Sequence, residues 1–442
     1  MKKANFVPLL LTCTILSSIL LLGGCGGGNG DRDSRAVSIR KMQDAYYDVV
    51  MDYTGRTNKE MGRALGEEIL RVVPDYESIA DSLLQDEFSL LASHDLSPDF
   101  PTALRRAQAI LPRVPQECLD ELAGLQEIFS FDEDILGDGR LSKNELGLLQ
   151  LFQDVVRPTQ CSGVAAFGKS SSTGKTVLGR NLDWDALPQN SLSRIHAVTT
   201  TKNGEKSIVI VHFLGFLTPV TGFNDNKVFG AFLDAETGAP YPTDLSTKRS
   251  YGLDFRYALE NMSTIQEMVD FLKTKDYAFN HLILMADETT AGVLEQNIGS
   301  PGRGFRYADS QLREGISWDV PETVATVNDY RLPGNYVYPD DDPSDNNRWR
   351  TYRTLLSSEL TRKATIDVDN MKRIAGYSGT DGNAYTSGAV FLSNRIVTTQ
   401  SIVLRMDTLE MWIHFSPAGT DPMPLNPTYL RVETPMETQL NP

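Results

Sequence analysis

Near Thr159 the hydrophobic period of this chain changes, and neither an all-helical nor an all-sheet fold can absorb that change. Upstream, Ile39, Met42, Tyr46, Val49 and Val50 recur at spacings of mostly three and four, so 38–160 reads as largely helical. Thr57-Asn58 offers a cap ahead of the stripe Met61, Leu65, Ile69 and Val73, and amphipathic stretches follow over 76–91, 102–110, 116–129 and 146–156. Downstream, β-branched and aromatic runs predict strands over 164–167, 177–181, 207–213, 228–233, 282–286, 292–296, 323–328, 389–391, 401–405 and 411–415. Helices are expected over 265–274 and about 348–360, which makes the class α+β. The chain is long enough, at 442 residues and 40% hydrophobic, to bury a sizeable core. Its 42 Lys and Arg against 58 Asp and Glu leave a net charge of −16 without a basic stripe, which argues against nucleic acid as a partner. Four cysteines are too few for a disulfide scaffold.

The amino-terminal residues predict export. Lys2 and Lys3 precede an apolar run from Val7 to Leu22 that collapses into Gly23 and Gly24, as a bacterial secretory signal peptide does. The tetrad Leu22-Gly23-Gly24-Cys25 resembles a lipobox, which implies removal of 1–24 and a diacylglyceryl group on the Cys25 thiol. A tether over 25–37, opening with a glycine-rich run, would follow. The expected location is the cell envelope, anchored to membrane by lipid, with Gly26 pointing to the outer membrane.

Only Cys118 and Cys161 then remain as side-chain thiols. Cys118 lies on a helical stripe and suits a core. Cys161 lies just before the strand over 164–167, which leads into the polar turn Lys169-Ser170-Ser171-Ser172-Thr173-Gly174, whose centre falls near 171.5. Opposed residues of an antiparallel hairpin sum to a constant, here about 343, so Cys161 sits across from residue 182 with Arg180 and Asp183 beside it. Arg180 would favour the thiolate and lower the thiol pKa, while Asp183 is free to orient an amine. His94, His196, His212, His281 and His414 are scattered singly, each more in keeping with a structural role than with pairing to a thiol. What remains to activate Cys161 is its own α-amino group, which requires scission of the Gln160–Cys161 bond.

The segments Gln160-Cys161-Ser162-Gly163 and Gly179-Arg180-Asn181-Leu182-Asp183-Trp184 resemble the amino-terminal-nucleophile (Ntn) hydrolases of the isopenicillin N acyltransferase type, relatives of choloylglycine hydrolase and acid ceramidase. Gly55 with Met61-Gly62-Arg63-Ala64-Leu65-Gly66, Asp120-Glu121-Leu122-Ala123-Gly124, Gly222-Phe223-Asn224-Asp225, and Leu284-Met285-Ala286-Asp287 through Leu294-Glu295 follow in the family's order, so the likeness spans about 40–420. The resemblance implies a four-layer αββα sandwich, with 38–160 as a first chain or propeptide and 161–442 as the catalytic chain, the two remaining associated after self-cleavage. It also implies a small-molecule amide substrate, cleaved through an acyl-thioester on Cys161 by hydrolysis or acyl transfer, with no cofactor or metal required. Asn328 sits where the family has an oxyanion-hole Asn, and Arg348 opens the helix on which it carries an Arg, with Arg350 and Arg353 as alternatives. Asn224 and Asp234 fall at substrate or oxyanion positions. Asn or Tyr is expected at the latter, and an ionised Asp cannot donate to an oxyanion, so its backbone N–H, a protonated carboxyl or a neighbouring residue must serve.

Residues 134–145 resemble a calcium loop, with Asp134, Asp138 and Glu145 as ligand candidates but Leu136 where a third oxygen belongs; a polar Asp-Gly turn is the alternative. The acidic run Pro339–Asn347 reads as a solvated loop. Two other functions fit the same residues: an inactive, possibly calcium-binding lipoprotein on this scaffold, and a ceramidase-like lipid amidase.

Overall fold

The computed structural model describes residues 35–94, 98–156, 160–186, 188–235, 238–299, 303–335, 343–379, 382–391, 394–419 and 424–440. The expected signal segment, Cys25 and most of the tether lie outside these residues. From Ala36 onward the chain is one compact unit. It opens with β1 (Val37–Met42) and β2 (Tyr46–Asp52), followed by α1 (Asn58–Val72), α2 (Tyr76–Ser93), α3 (Phe100–Ile110), α4 (Gln116–Ile128), α5 (Lys143–Gln150) and α6 (Phe152–Val155). Next come β3 (Gln160–Ala166), β4 (Val177–Asp185), α7 (Ser191–Arg194), β5 (His196–Asn203), β6 (Lys206–Phe213), β7 (Thr221–Asn224) and β8 (Phe229–Asp234). The rest is α8 (Tyr251–Asn261), α9 (Ile265–Lys273), β9 (His281–Ala286), β10 (Ala291–Gln296), β11 (Gly304–Arg306), β12 (Thr323–Thr326), α10 (Pro343–Lys363), α11 (Val368–Ala375), β13 (Ser387–Phe391), β14 (Asn394–Arg405), β15 (Met411–Phe415), β16 (Leu430–Val432) and α12 (Pro435–Leu440).

The helical expectation fails at its start. Residues 37–52 form a hairpin in register from Val37↔Met51 to Met42↔Tyr46. Gln43 and Asp44 turn the chain with φ of 49° and 54°. Spacings of three and four across such a turn imitate a helical stripe. Past residue 57 the expectation holds, and Thr57 caps α1 with Glu60 closing a capping box. Two of the segments that carry the family resemblance meet face to face here: a Cβ on Gly62 would strike the Glu121 carbonyl, and one on Gly124 would strike that of Lys59, so α1 and α4 cross at backbone contact.

Two sheets build the body. Among the described residues one has nine strands in the order β1-β2-β5-β6-β7-β8-β9-β10-β11, and the other runs β12-β3-β4-β14-β15-β16 with β13 against β14. All pairs are antiparallel except β2 with β5. Alternation along the strands reveals the layering. On β9, Leu282, Leu284 and Ala286 join a core shared with Cys161, Ala165, Leu178 and Leu182 of the second sheet. Ile283 and Met285 instead pack with Tyr251 and Phe255 of α8 and Met268 of α9. Val164 and Ala166 of β3 face Tyr352 and Leu356 of α10 and Met371 of α11. The order helix, sheet, sheet, helix is thus a four-layer αββα sandwich. Helices α1–α6 add Leu65, Tyr76, Leu84, Leu122 and Phe152 to the inter-sheet core.

Candidate active site

Cys161 lies opposite Leu182, and the β3–β4 register runs from Gln160↔Asp183 to Ala166↔Val177, each pair summing to 343 as the turn position requires. Opposed residues share a face of the pleat, so Cys161, Gly163, Arg180 and Leu182 point between the sheets, while Gln160, Ser162, Asn181 and Asp183 point toward α10 and α11. On the outer side Tyr352 donates to Ser162 Oγ at 2.7 Å. The sheets close tightly beside the thiol: a Cβ on Gly163 would lie 2.7 Å from Leu284 Cδ2.

Each polar atom of Cys161 meets a buried side chain. Arg180 Nη2 approaches Sγ at 3.5 Å and donates to the Phe232 carbonyl at 3.0 Å. The Cys161 N–H donates to Asn328 Oδ1 at 2.8 Å. Its carbonyl accepts from Arg348 Nη1 at 2.9 Å. The ladder explains why a side chain takes the N–H: β12 stops at Thr326, paired with Gly163, and Asn328 continues past its end. Arg348 Nη2 also donates to Asn328 Oδ1 at 2.8 Å and to the Asp345 carboxylate. Asp183 accepts from the Thr398 hydroxyl at 2.6 Å, and its other oxygen lies 3.9 Å from Arg348 Nη1. Cys161, Arg180, Asp183, Asn328 and Arg348 therefore converge from four parts of the chain, and of the three arginines considered on α10 it is Arg348 that reaches the site.

The electrostatics correct one expectation. Burial pushes the Cys161 thiol up to about 11; Arg180 pulls downward as anticipated, but Asp183 and Asp234 push the same way as burial. In the uncut chain the sulfur is a neutral thiol. Burial likewise raises Asp183 to about 6 against the pull of Arg348, Thr398 and Arg180. It also lowers Arg180, whose Nε and Nη1 have no hydrogen-bond partner among the described residues.

Other expectations fail on geometry. Asn224 is a turn anchor: its Nδ2 donates to the carbonyls of Leu259 at 3.0 Å and Met262 at 2.8 Å, and its Oδ1 accepts from Val228 N at 3.0 Å. It stands before β8, whereas the thiol neighbours the far end of that strand. Asp234 is at that far end, where its carbonyl accepts from Asn328 Nδ2 at 2.8 Å and its carboxylate lies 3.5 Å from the Tyr251 hydroxyl. The calcium candidates serve their own loop. Asp134 accepts from Ser142 Oγ and Asn144 Nδ2, Asp138 from Arg140 N, and Glu145 from Ser142 N. Asp81 takes Gly137 N and Gly139 N, and no metal-holding group of His, Cys, Asp or Glu occurs among the described residues. The solvated acidic loop is also wrong where it can be checked: 343–347 begin α10, and Asp345 is 0% exposed. Asp340–Asp342 lie outside the described residues.

Sequence reasoning missed Asp345 and Thr398. An acid three residues before Arg348 on a helix was the available signal for the first; nothing local marked the second. Cys118 is buried as expected, and the described hydrogen bonds of His196, His212, His281 and His414 go to groups other than Cys161.

No family model matches this chain, and no curated protein does. Among solved structures it is similar to the Caenorhabditis elegans N-acylethanolamine-hydrolyzing acid amidase ortholog, with a TM-score of 0.37 and 17% identity over 56% of this chain and 93% of that one. A conjugated bile acid hydrolase variant from Clostridium perfringens gives a TM-score of 0.37 and 12% identity, covering 58% and 89%. Penicillin V acylase from Agrobacterium tumefaciens gives 0.30 and 11%, covering 59% and 84%.

Proposed function

We propose that this chain is a self-activating cysteine amidohydrolase or acyltransferase of the amino-terminal-nucleophile kind. The supporting observation is that one residue has both its sulfur and its nitrogen held by dedicated buried side chains, Arg180 at 3.5 Å and Asn328 at 2.8 Å. A thiol that served only as core would need no buried guanidinium at its sulfur, and a nitrogen beside an unbroken ladder would need no side chain.

Activation begins within the chain. The Cys161 sulfur adds to the Gln160 carbonyl carbon, the C–N bond breaks, and the nitrogen takes the thiol proton to become an α-amine. Water then hydrolyses the resulting thioester, leaving a carboxyl on Gln160 and a free thiol on Cys161. In the cut enzyme the amine accepts the thiol proton and the thiolate attacks a substrate amide. Asn328 and backbone N–H groups would meet the oxyanion, at roughly 3 kcal/mol per donor. The substrate C–N bond breaks, the leaving amine departs with the proton, and water or a second amine resolves the acyl-thioester.

Asp183, beside the severed bond, orients the amine. The two chains stay together because β2 lies between β1 and β5 inside the nine-stranded sheet. The sequence of residues 1–30 supports lipid attachment through Cys25 at the cell envelope.

Sequencing the termini of purified protein tests the proposal. It predicts a new terminus at Cys161, lost in Cys161→Ala together with hydrolysis of an amide panel. Wild type that turns amides over while its backbone stays continuous across 160–161 would overturn it.

A further inference from the structure

Arg348 stands between two carboxylates. Asp183 Oδ2 lies 3.9 Å from its Nη1, and Asp345, one turn earlier on α10, takes its Nη2. Asp345 is wholly buried, and Arg348 is 6% exposed. With Asp345 in place the guanidinium is turned so that Nη1 meets the Cys161 carbonyl at 2.9 Å and Nη2 meets Asn328 Oδ1 at 2.8 Å. A guanidinium near a buried carboxylate ordinarily settles into a two-pronged pair with it. Here that partner would be Asp183, and such a pair would consume the carboxylate that the amine needs.

Resting on the self-activating reading above, we infer that Asp345 is a positioning residue that holds Arg348 on the Cys161 carbonyl and Asn328, and so keeps Asp183 open for the α-amine released by cleavage. Asp345 acts through Arg348 and touches no reacting atom. Other groups define the same field: Arg180 and Asp234 face the thiol, while Tyr352 and Tyr385 face Asp183. Asp345 also faces Arg331, which has its own partners in Asp329 at 3.4 Å and Asn346 at 3.0 Å. Removing the charge of Asp345 therefore frees Arg348 more than it strands Arg331.

The test compares wild type, Asp345→Asn and Asp345→Glu as full-length chains. Intact mass follows cutting at 160–161, and peptide mapping follows iodoacetamide alkylation of Cys161 in the cut protein across pH. In Asp345→Asn, Arg348 swings to Asp183, the ammonium loses its counter-charge, and the thiolate loses the ammonium. Cutting should slow roughly tenfold to a hundredfold, the range that a small misplacement costs. The alkylation midpoint should move to higher pH by about half a unit or more. Asp345→Glu should keep the wild-type midpoint even if it cuts slowly. An unmoved midpoint in Asp345→Asn, with cutting unchanged or slowed, overturns the inference, because a merely structural role would not move it. Should Asp345→Asn fail to fold, Asp345→Glu decides alone, and a shifted midpoint there overturns it. Wild type that is never cut instead refutes the proposed function and is recognisable as that separate failure.

Discussion

The amide nitrogen of Cys161 donates to Asn328 Oδ1 at 2.8 Å, in the place where β12 would have continued the ladder. The atom that becomes the proposed amine is thus positioned before any bond is cut. Asn328 has a second task in tying down the Asp234 carbonyl at 2.8 Å, so it couples the two sheets at the nucleophile.

Replacing Asn328 by Ala removes the acceptor for that N–H and the link to Asp234. Self-cleavage and amide turnover are expected to fall about a hundredfold to a thousandfold, as when a single oxyanion donor is lost. Intact mass against time and kcat on any hydrolysed amide measure this; unchanged rates would deny Asn328 its role.

In the uncut chain Cys161 should be closed to reagents from solvent, its only reach being the adjoining Gln160 carbonyl. Its thiol is raised to about 11 and 1% exposed, so at neutral pH it is protonated and shielded. Iodoacetamide should leave Cys161 unlabelled in the folded, uncut fraction and label it after denaturation or after cutting, as peptide mapping would report.

Asp183 opposes folding where it would serve chemistry. Its carboxyl is raised to about 6 from 3.8, so its contribution is full below the unfolded value and is lost as pH rises through the folded one. Asp183→Asn should stabilise the uncut chain at neutral pH by about 1–2 kcal/mol, with the gain vanishing in acid. Urea unfolding across pH reads the sign, and self-cleavage should fail in the same variant.

Glu121 of α4 and Arg256 of α8 form a buried ion pair at 2.7 Å, 1% and 4% exposed, with Tyr53 donating to the same carboxylate at 2.8 Å. Glu121→Gln removes one of two carboxylates on the arginine, which keeps Glu260 at 2.9 Å, and should cost about 1.5–3 kcal/mol of unfolding free energy, more than a surface pair. A loss below about 1 kcal/mol would mean that water reaches the pair.

What could be deduced without coordinates follows from how local each cause is. One turn centred near 171.5 fixes a hairpin, so the neighbours of Cys161 were calculable, and the register obeys that arithmetic. The helix at 343–363 was visible in part, but Asp345 sits in a run of acids whose composition argues for solvent. Only the docking of α10 against the second sheet makes it a buried partner. The strands at 37–52 were missed because two short runs about Gln43 and Asp44 satisfy helical spacing as well as pleated alternation. Asn224 misled because an amide that anchors a turn and one that serves a catalytic site look alike in one dimension. The direction of the Cys161 shift was misjudged since neighbouring charge can be counted from sequence, whereas burial comes from the closed sandwich.

The parallel pairing of β2 with β5, across almost 150 intervening residues, has a consequence for handling the protein. A continuous chain brings that strand to its place at the high local concentration of a tethered end, and a severed one must find it by collision. Material already divided would then recover from denaturant in a concentration-dependent and incomplete way. The uncut precursor would rebuild the sheet at a rate that does not depend on dilution.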